Sequence, residues 1–172
     1  MEKDLQIKLV KRAKIGDAKA FITLCEMYQE VLYNSAYKLL LNDEDVADCL
    51  QETEIRAWQK ITKIKNEGAF NTWIFRIMIN SAKDILKKRV AVIEFEERHG
   101  KTTEDSYATG QLDQELNRLS EIYRIPLVLY YYAGFSIKEI SEQLKMSTNT
   151  VKTRLARGRL QLKAILEEQH NG

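Results

Sequence analysis

Pro126 is the only proline in 172 residues, and glycine, the other strong helix breaker, occurs only seven times. Proline removes a main-chain donor and glycine costs conformational entropy, so a chain poor in both is free to run long helices. The side-chain spacing agrees. Phe21, Leu24, Cys25, Tyr28, Leu32, Ser35 and Leu39 recur every three or four residues, as on one buried helical face. No sustained alternation of apolar and polar residues competes with that pattern. The expected fold is all-α.

Read along the chain, the pattern predicts helices over about residues 4–15, 18–41, 43–61 and 70–89, with a polar loop at about 62–68. Gly16-Asp17 stops the first and caps the second, and Asp43 or Glu44 opens the third. From about Ala91 to Gly110 the period lapses into an acidic stretch holding Gly100 and Gly110, which reads as a flexible linker. Periodicity returns over about 112–119, 123–132, 136–144 and 148–168. Two small helical domains follow, 1–90 and 112–172, joined by an acidic linker at 91–111.

The net charge of +2 does not by itself announce a nucleic-acid binder. Its distribution is more telling. Basic residues cluster at Lys83–Arg89 and along Lys152–Lys163, and acids gather at Asp43–Glu54 and Glu94–Asp105. One surface suits nucleic acid, another a protein partner. Cys25 and Cys49 stand outside any CxxC or Cys/His ligand spacing, and His99 and His170 fall in the linker and tail. No catalytic residues, cofactor or metal are expected, and hence no enzyme. No run approaches the ~18–20 apolar residues that a membrane-spanning helix needs, so no membrane insertion is expected and the cytoplasm is the default location.

The most specific local signal runs from Gly134 to Arg154. Gly134 can close the preceding helix in the left-handed conformation, Ser136 with Glu139 makes a capping box, and Ile137, Ile140 and Leu144 form an inward face. Lys145-Met146 supplies a tight turn and Ser147 caps a last helix, which Val151, Leu155 and Leu162 pack against the domain. This is a helix-turn-helix. Asn149, Lys152, Thr153, Ala156 and Arg157 share the outward side that would meet base edges, while Arg154, Arg159 and Lys163 can reach phosphates.

Tyr123-Arg124-Ile125-Pro126, the stretch to Gly134-Phe135-Ser136, then Glu139-Ile140 and Thr150-Val151-Lys152-Thr153-Arg154-Leu155 resemble the promoter −35-binding domain of extracytoplasmic-function (ECF) RNA polymerase sigma factors. Gly158 stands where that family prefers alanine, at a helix-propensity cost of about 1 kcal/mol. Ala156 stands where the family often places a larger side chain, which alters one base contact.

Two further blocks carry the same resemblance in the N-terminal half. Asp43-Glu44-Asp45-Val46-Ala47-Asp48-Cys49-Leu50-Gln51-Glu52 is similar to the segment that docks on the β′ clamp helices of core polymerase, which implies roles for Asp45, Asp48, Gln51 and Glu52. Glu54 departs from the large apolar residue usual there. Phe70 to Asp84, with Trp73, Ile77 and Asn80 in register, resembles the −10 recognition and melting helix. Trapping a separated strand needs amides to read an unstacked base and cations along the backbone. Asn80 with Lys63, Lys65 and Asn66 of the preceding loop are the candidates for the base. Arg76, Lys83, Lys87, Lys88 and Arg89 are the candidates for phosphates, whereas Phe70, Trp73 and Phe75 read as core.

The resemblance implies core RNA polymerase (β′ clamp helices and β flap) and promoter DNA as partners, an anti-sigma protein as inhibitor, and a linker lying in the RNA-exit path. A helix-turn-helix repressor or activator predicts instead binding to palindromic duplex without polymerase. A nuclease holding metal at Asp43–Asp48 predicts magnesium-dependent cleavage.

Overall fold

A computed structural model of the chain describes residues 1–99 and 111–171, with side-chain surroundings for 1–92 and 113–171. The described elements are α1 (Glu2–Lys14), α2 (Ala18–Leu40), α3 (Asp43–Lys60), α4 (Phe70–His99), α5 (Gln111–Arg118), α6 (Glu121–Tyr131), α7 (Ile137–Leu144) and α8 (Thr148–His170). Two 3-10 turns, Ile61–Lys63 and Glu67–Ala69, link α3 to α4. Among the described residues there is no strand.

Local chemistry sets most of the boundaries. Gly16 takes φ of 96° after α1, and Asp17 caps α2 by accepting from the Ala20 amide at 3.1 Å. Leu41, rather than a glycine, takes the left-handed stop after α2 at φ of 56°. That conformation is unfavourable for an L side chain; the buried leucine and its amide bond to Tyr37 O at 2.6 Å hold it. Asn42 then caps α3 by accepting from the Asp45 amide at 2.9 Å, so the start signal is Asn42 and not Asp43 or Glu44.

One element runs longer than its pattern predicts. α4 continues past Arg89 to His99, into the stretch expected to be linker. Residues 90–99 hold neither glycine nor proline and include Glu94, Glu96 and Glu97, good helix formers. A helix already nucleated by packing propagates through such residues without needing an apolar stripe. The rest of the expected linker, and with it the expected RNA-exit path, lies outside the described residues.

The core of the N-terminal unit is made by Val10, Leu24, Leu39, Leu40, Val46, Phe70, Ile74, Met78 and Ile79, all essentially inaccessible. Phe75 is also buried and Trp73 partly so, with Trp73 packed 5.7 Å from Phe70; these rings are core. In the C-terminal unit Val128, Leu129, Ile140, Val151 and Leu155 fill the space between α6, α7 and α8.

The two units touch. Phe75 of α4 meets Phe135 edge-on at 5.9 Å. Lys38 of α2 reaches Asp113 at 3.4 Å and lies 4.7 Å from the centre of the Tyr132 ring. Arg124 of α6 is buried, which lowers its pKa, and donates to the main-chain oxygens of Leu119 at 3.2 Å and Leu39 at 3.3 Å.

Candidate nucleic-acid interface

The helix-turn-helix forms through the residues that predict it. Gly134 has φ of 73°, and the Phe135 amide closes back on Leu129 O at 2.9 Å. Both halves of the capping box are present, Glu139 N to Ser136 Oγ at 3.1 Å and Ser136 N to Glu139 Oε1 at 3.2 Å. Lys145 turns the chain at φ of 54°, Ser141 Oγ secures Met146 O, and Ser147 Oγ accepts from the Thr150 amide at 3.1 Å. Val151 and Leu155 lock the inner side of α8.

That leaves Asn149, Lys152, Thr153, Ala156 and Arg157 exposed together on the opposite side of α8. The helix N-terminus adds a partial positive charge favourable to phosphate. Arg154 is partly buried. Arg159 is exposed but not loose: its Nε donates to the Tyr131 hydroxyl at 2.5 Å and its guanidinium lies 5.8 and 5.6 Å from the Tyr130 and Tyr131 ring centres. Its direction is therefore set by two aromatics of α6. Gly158 is explained by contact and not by propensity alone. A Cβ there would lie 3.0 Å from Leu127 Cδ1 and 3.3 Å from Tyr123 Cβ, so glycine lets α8 lie close against α6.

In the N-terminal unit Lys63, Lys65 and Asn66 stand exposed on the loop before α4, and Asn66 Oδ1 accepts from the Gly68 amide at 3.0 Å. On α4, Lys87 and Lys88 are exposed. Lys83 is partly buried, and burial, then Lys87 and Lys145, lowers its pKa. Arg76 and Asn80 share this side, but the C-terminal unit meets them: Arg76 pairs with Glu142 at 3.3 Å and Asn80 Oδ1 accepts from Gln143 Nε2 at 3.2 Å. The Nε of Arg76 is left buried without a partner. Sequence alone has no signal for this contact, because Glu142 and Gln143 are ordinary polar positions on α7 until the fold brings them to α4.

The acidic helix α3 separates into two parts. Asp48, Gln51 and Glu52 are exposed, with Glu52 accepting from Arg56 Nε at 2.7 Å. Asp45 faces inward instead. Its Oδ2 takes Arg89 Nε at 2.9 Å, while Arg89 also donates to Leu40 O at 2.7 Å. Asp45 and Arg89 therefore pair with each other and brace α3 against α4, both still partly exposed.

Cys49 is buried and Cys25 partly so. Burial raises Cys25 to about 12 and Cys49 to about 11. Among the described residues no helix is long and apolar enough to cross a membrane.

Comparison with known proteins places this arrangement. Residues 24–91 match the family model for sigma-70 region 2, and residues 109–162 match that for sigma-70 region 4. The chain is 31% identical to the ECF RNA polymerase sigma factor SigW of Bacillus subtilis (strain 168), over 94% of this chain and 96% of that protein. It is 31% identical to the ECF RNA polymerase sigma-E factor of Salmonella typhimurium (strain LT2), over 88% of each. Among solved structures it is similar to CnrH in complex with the cytosolic domain of CnrY, at TM-score 0.73 and 25% identity, covering 95% of this chain and 98% of that one. The fold is also that of the sigma factor RpoE in complex with the anti-sigma factor NepR from Bartonella quintana, at TM-score 0.74 and 23% identity, covering 87% and 98%. The chain belongs to the ECF family of RNA polymerase sigma factors.

Proposed function

We propose that this sigma factor directs initiation through three separate surfaces. The exposed side of α3, with Asp48, Gln51 and Glu52, docks on the β′ clamp helices of core polymerase, while Asp45 holds that helix through Arg89. The C-terminal unit sits on the β flap and presents α8 to the −35 duplex. Lys152 and Arg157 with Asn149 and Thr153 contact base edges, Ala156 leaves space in the groove, and Arg154 and Arg159 hold phosphates. The loop residues Lys63, Lys65 and Asn66, with Asn80, take an unstacked base of the −10 strand, and Arg76, Lys83 and Lys87 follow its backbone.

The observation that carries this reading is the joint exposure of Asn149, Lys152, Thr153, Ala156 and Arg157 at the capped start of α8, on a unit separate from the acidic side of α3. The contacts of Glu142 and Gln143 with Arg76 and Asn80 mean that the strand-facing side of α4 is partly covered in this arrangement. DNA therefore engages after the two units part. The site of action is the cytoplasm, and an anti-sigma protein that keeps the units together silences the factor. The solved complex of the similar protein CnrH with the cytosolic domain of CnrY supports a protein partner for this fold, and RpoE, of the same fold, was solved with the anti-sigma factor NepR.

In vitro transcription with core enzyme tests it. Arg157→Ala or Lys152→Ala is expected to cost about 1–3 kcal/mol of −35 discrimination. Asn80→Ala is expected to impair opening or −10 selection while core binding is kept. Unchanged promoter choice in the α8 variants contradicts the assignment.

A further inference from the structure

A turn that shows two side chains to an unpaired base discriminates only if it keeps its shape, because a turn free to reorient accommodates the wrong base as well. The start of the loop between α3 and α4 is anchored by Ile61 and Ile64, both buried. Beyond Ile64 the anchoring comes from α1. Lys14 Nζ donates to the main-chain oxygen of Ile64 at 3.0 Å and to Glu67 Oε1 at 3.2 Å. Gln6 Nε2 donates to the main-chain oxygen of Glu67 at 3.1 Å. Gln6 is itself buried, and the Tyr28 hydroxyl donates to its Oε1, which commits the nitrogen end of the amide to the loop.

The two tethered carbonyls, of Ile64 and Glu67, bracket Lys65 and Asn66, which are both exposed. Asn66 Oδ1 is occupied by the Gly68 amide, leaving the amide nitrogen as the end available to a base edge. Gly68 permits the close approach of α1: a Cβ there would lie 3.3 Å from Lys3 Cε and 3.2 Å from Asn66 Oδ1. The carboxyl of Glu67 is held below its ordinary pKa by its own backbone hydrogen bond and then by Lys14, as a working ion pair requires.

We propose that Gln6 and Lys14 of α1 are positioning residues for −10 base selection, fixing the Lys65–Asn66 turn between two tethered carbonyls. The proposal rests on the reading of this loop as the base-contacting element. The bonds reach from α1 across to a loop fifty or more residues later in the chain.

The test uses holoenzyme reconstituted from the full chain and core polymerase, with a pool of single-stranded oligonucleotides carrying a short randomised window. Enrichment gives a discrimination ratio between the preferred base and its competitors. The wild-type ratio is expected to be roughly tenfold or more, falling to about two- to threefold in Lys14→Ala and Gln6→Ala with core binding retained. Lys14→Arg, which keeps a donor in reach, is expected to restore most of it. A purely structural role would lower thermal stability without changing the ratio in the folded fraction. Wild-type discrimination in both alanine variants, with discrimination lost in Asn66→Ala, overturns the positioning role alone. Wild-type discrimination in both Lys65→Ala and Asn66→Ala overturns the base-reading loop itself. Should Lys14→Ala fail to fold, Glu67→Gln weakens the same tether from the loop side; a partial loss supports the proposal and an unchanged ratio overturns it.

Discussion

Removing the two side chains with which α7 meets α4 should shift the chain toward a parted arrangement. The perturbation is Glu142→Ala with Gln143→Met, which leaves Arg76 and Asn80 intact for DNA. Glu142 lies in the last turn of α7, where an acid opposes the helix dipole, so its loss does not weaken that helix. Methionine keeps the bulk of Gln143 in its buried position. The Arg76–Glu142 pair is 43% and 54% exposed, which limits it to about 0.2–1 kcal/mol. The Asn80–Gln143 bond is neutral and contributes about 0.5–1.5 kcal/mol. Together they amount to about 0.7–2.5 kcal/mol, a factor of roughly 3 to 70 in the equilibrium between closed and parted forms. Phe75 on Phe135, Lys38 with Asp113 and Arg124 on Leu39 O remain, so closure weakens without vanishing. Single-molecule energy transfer between dyes at Gln59→Cys and Gln161→Cys, both exposed positions, reads the equilibrium directly. The affinity of the free chain for a single-stranded −10 oligonucleotide should rise in step, since apparent affinity scales with the competent fraction. A variant whose equilibrium and strand affinity both stay within twofold of wild type refutes the reasoning.

Gly158→Ala offers about 1 kcal/mol of helix propensity but sets a methyl 3.0 Å from Leu127 Cδ1, and overpacking costs about 1–3 kcal/mol. Thermal unfolding should therefore show no stabilisation; a rise equivalent to the full propensity gain means that α6 yields freely. Ser136→Ala removes the cap of α7 and should cost about 1 kcal/mol in the unfolding of the C-terminal unit, with an unchanged melting curve as the contrary result. Burial raises both thiols, Cys25 to about 12 and Cys49 to about 11, so both should react with iodoacetamide at neutral pH far more slowly than in the denatured chain. Labelling of the native protein as fast as of the denatured chain contradicts the depressed reactivity expected of both.

Features written in neighbouring residues are legible in the sequence. The helix-turn-helix is the clearest case, since Gly134, Ser136 with Glu139, and Ser147 act on main-chain groups within a few residues of themselves. The outward residues of α8 follow from helical geometry once its cap is known. Features that depend on distant partners are not legible. The pairing of Arg89 with Asp45, 44 residues apart, is one such feature. Gly158 reads as a propensity defect until α6 is seen against it. The extension of α4 to His99 escapes a search for apolar stripes because a helix already begun can propagate through residues that carry no such stripe. The tether from Gln6 and Lys14 to the loop carries no local mark at all.

The most direct measurement adds core polymerase to the purified chain and scores transcripts from a library of genomic fragments, with the α3 variant Asp48→Lys/Glu52→Lys in parallel. Discrete start sites should appear only with both proteins present, and the variant should lose them together with its association with core. Duplex binding at palindromic sites with no association with core, or transcripts undiminished by the α3 variant, would contradict the account.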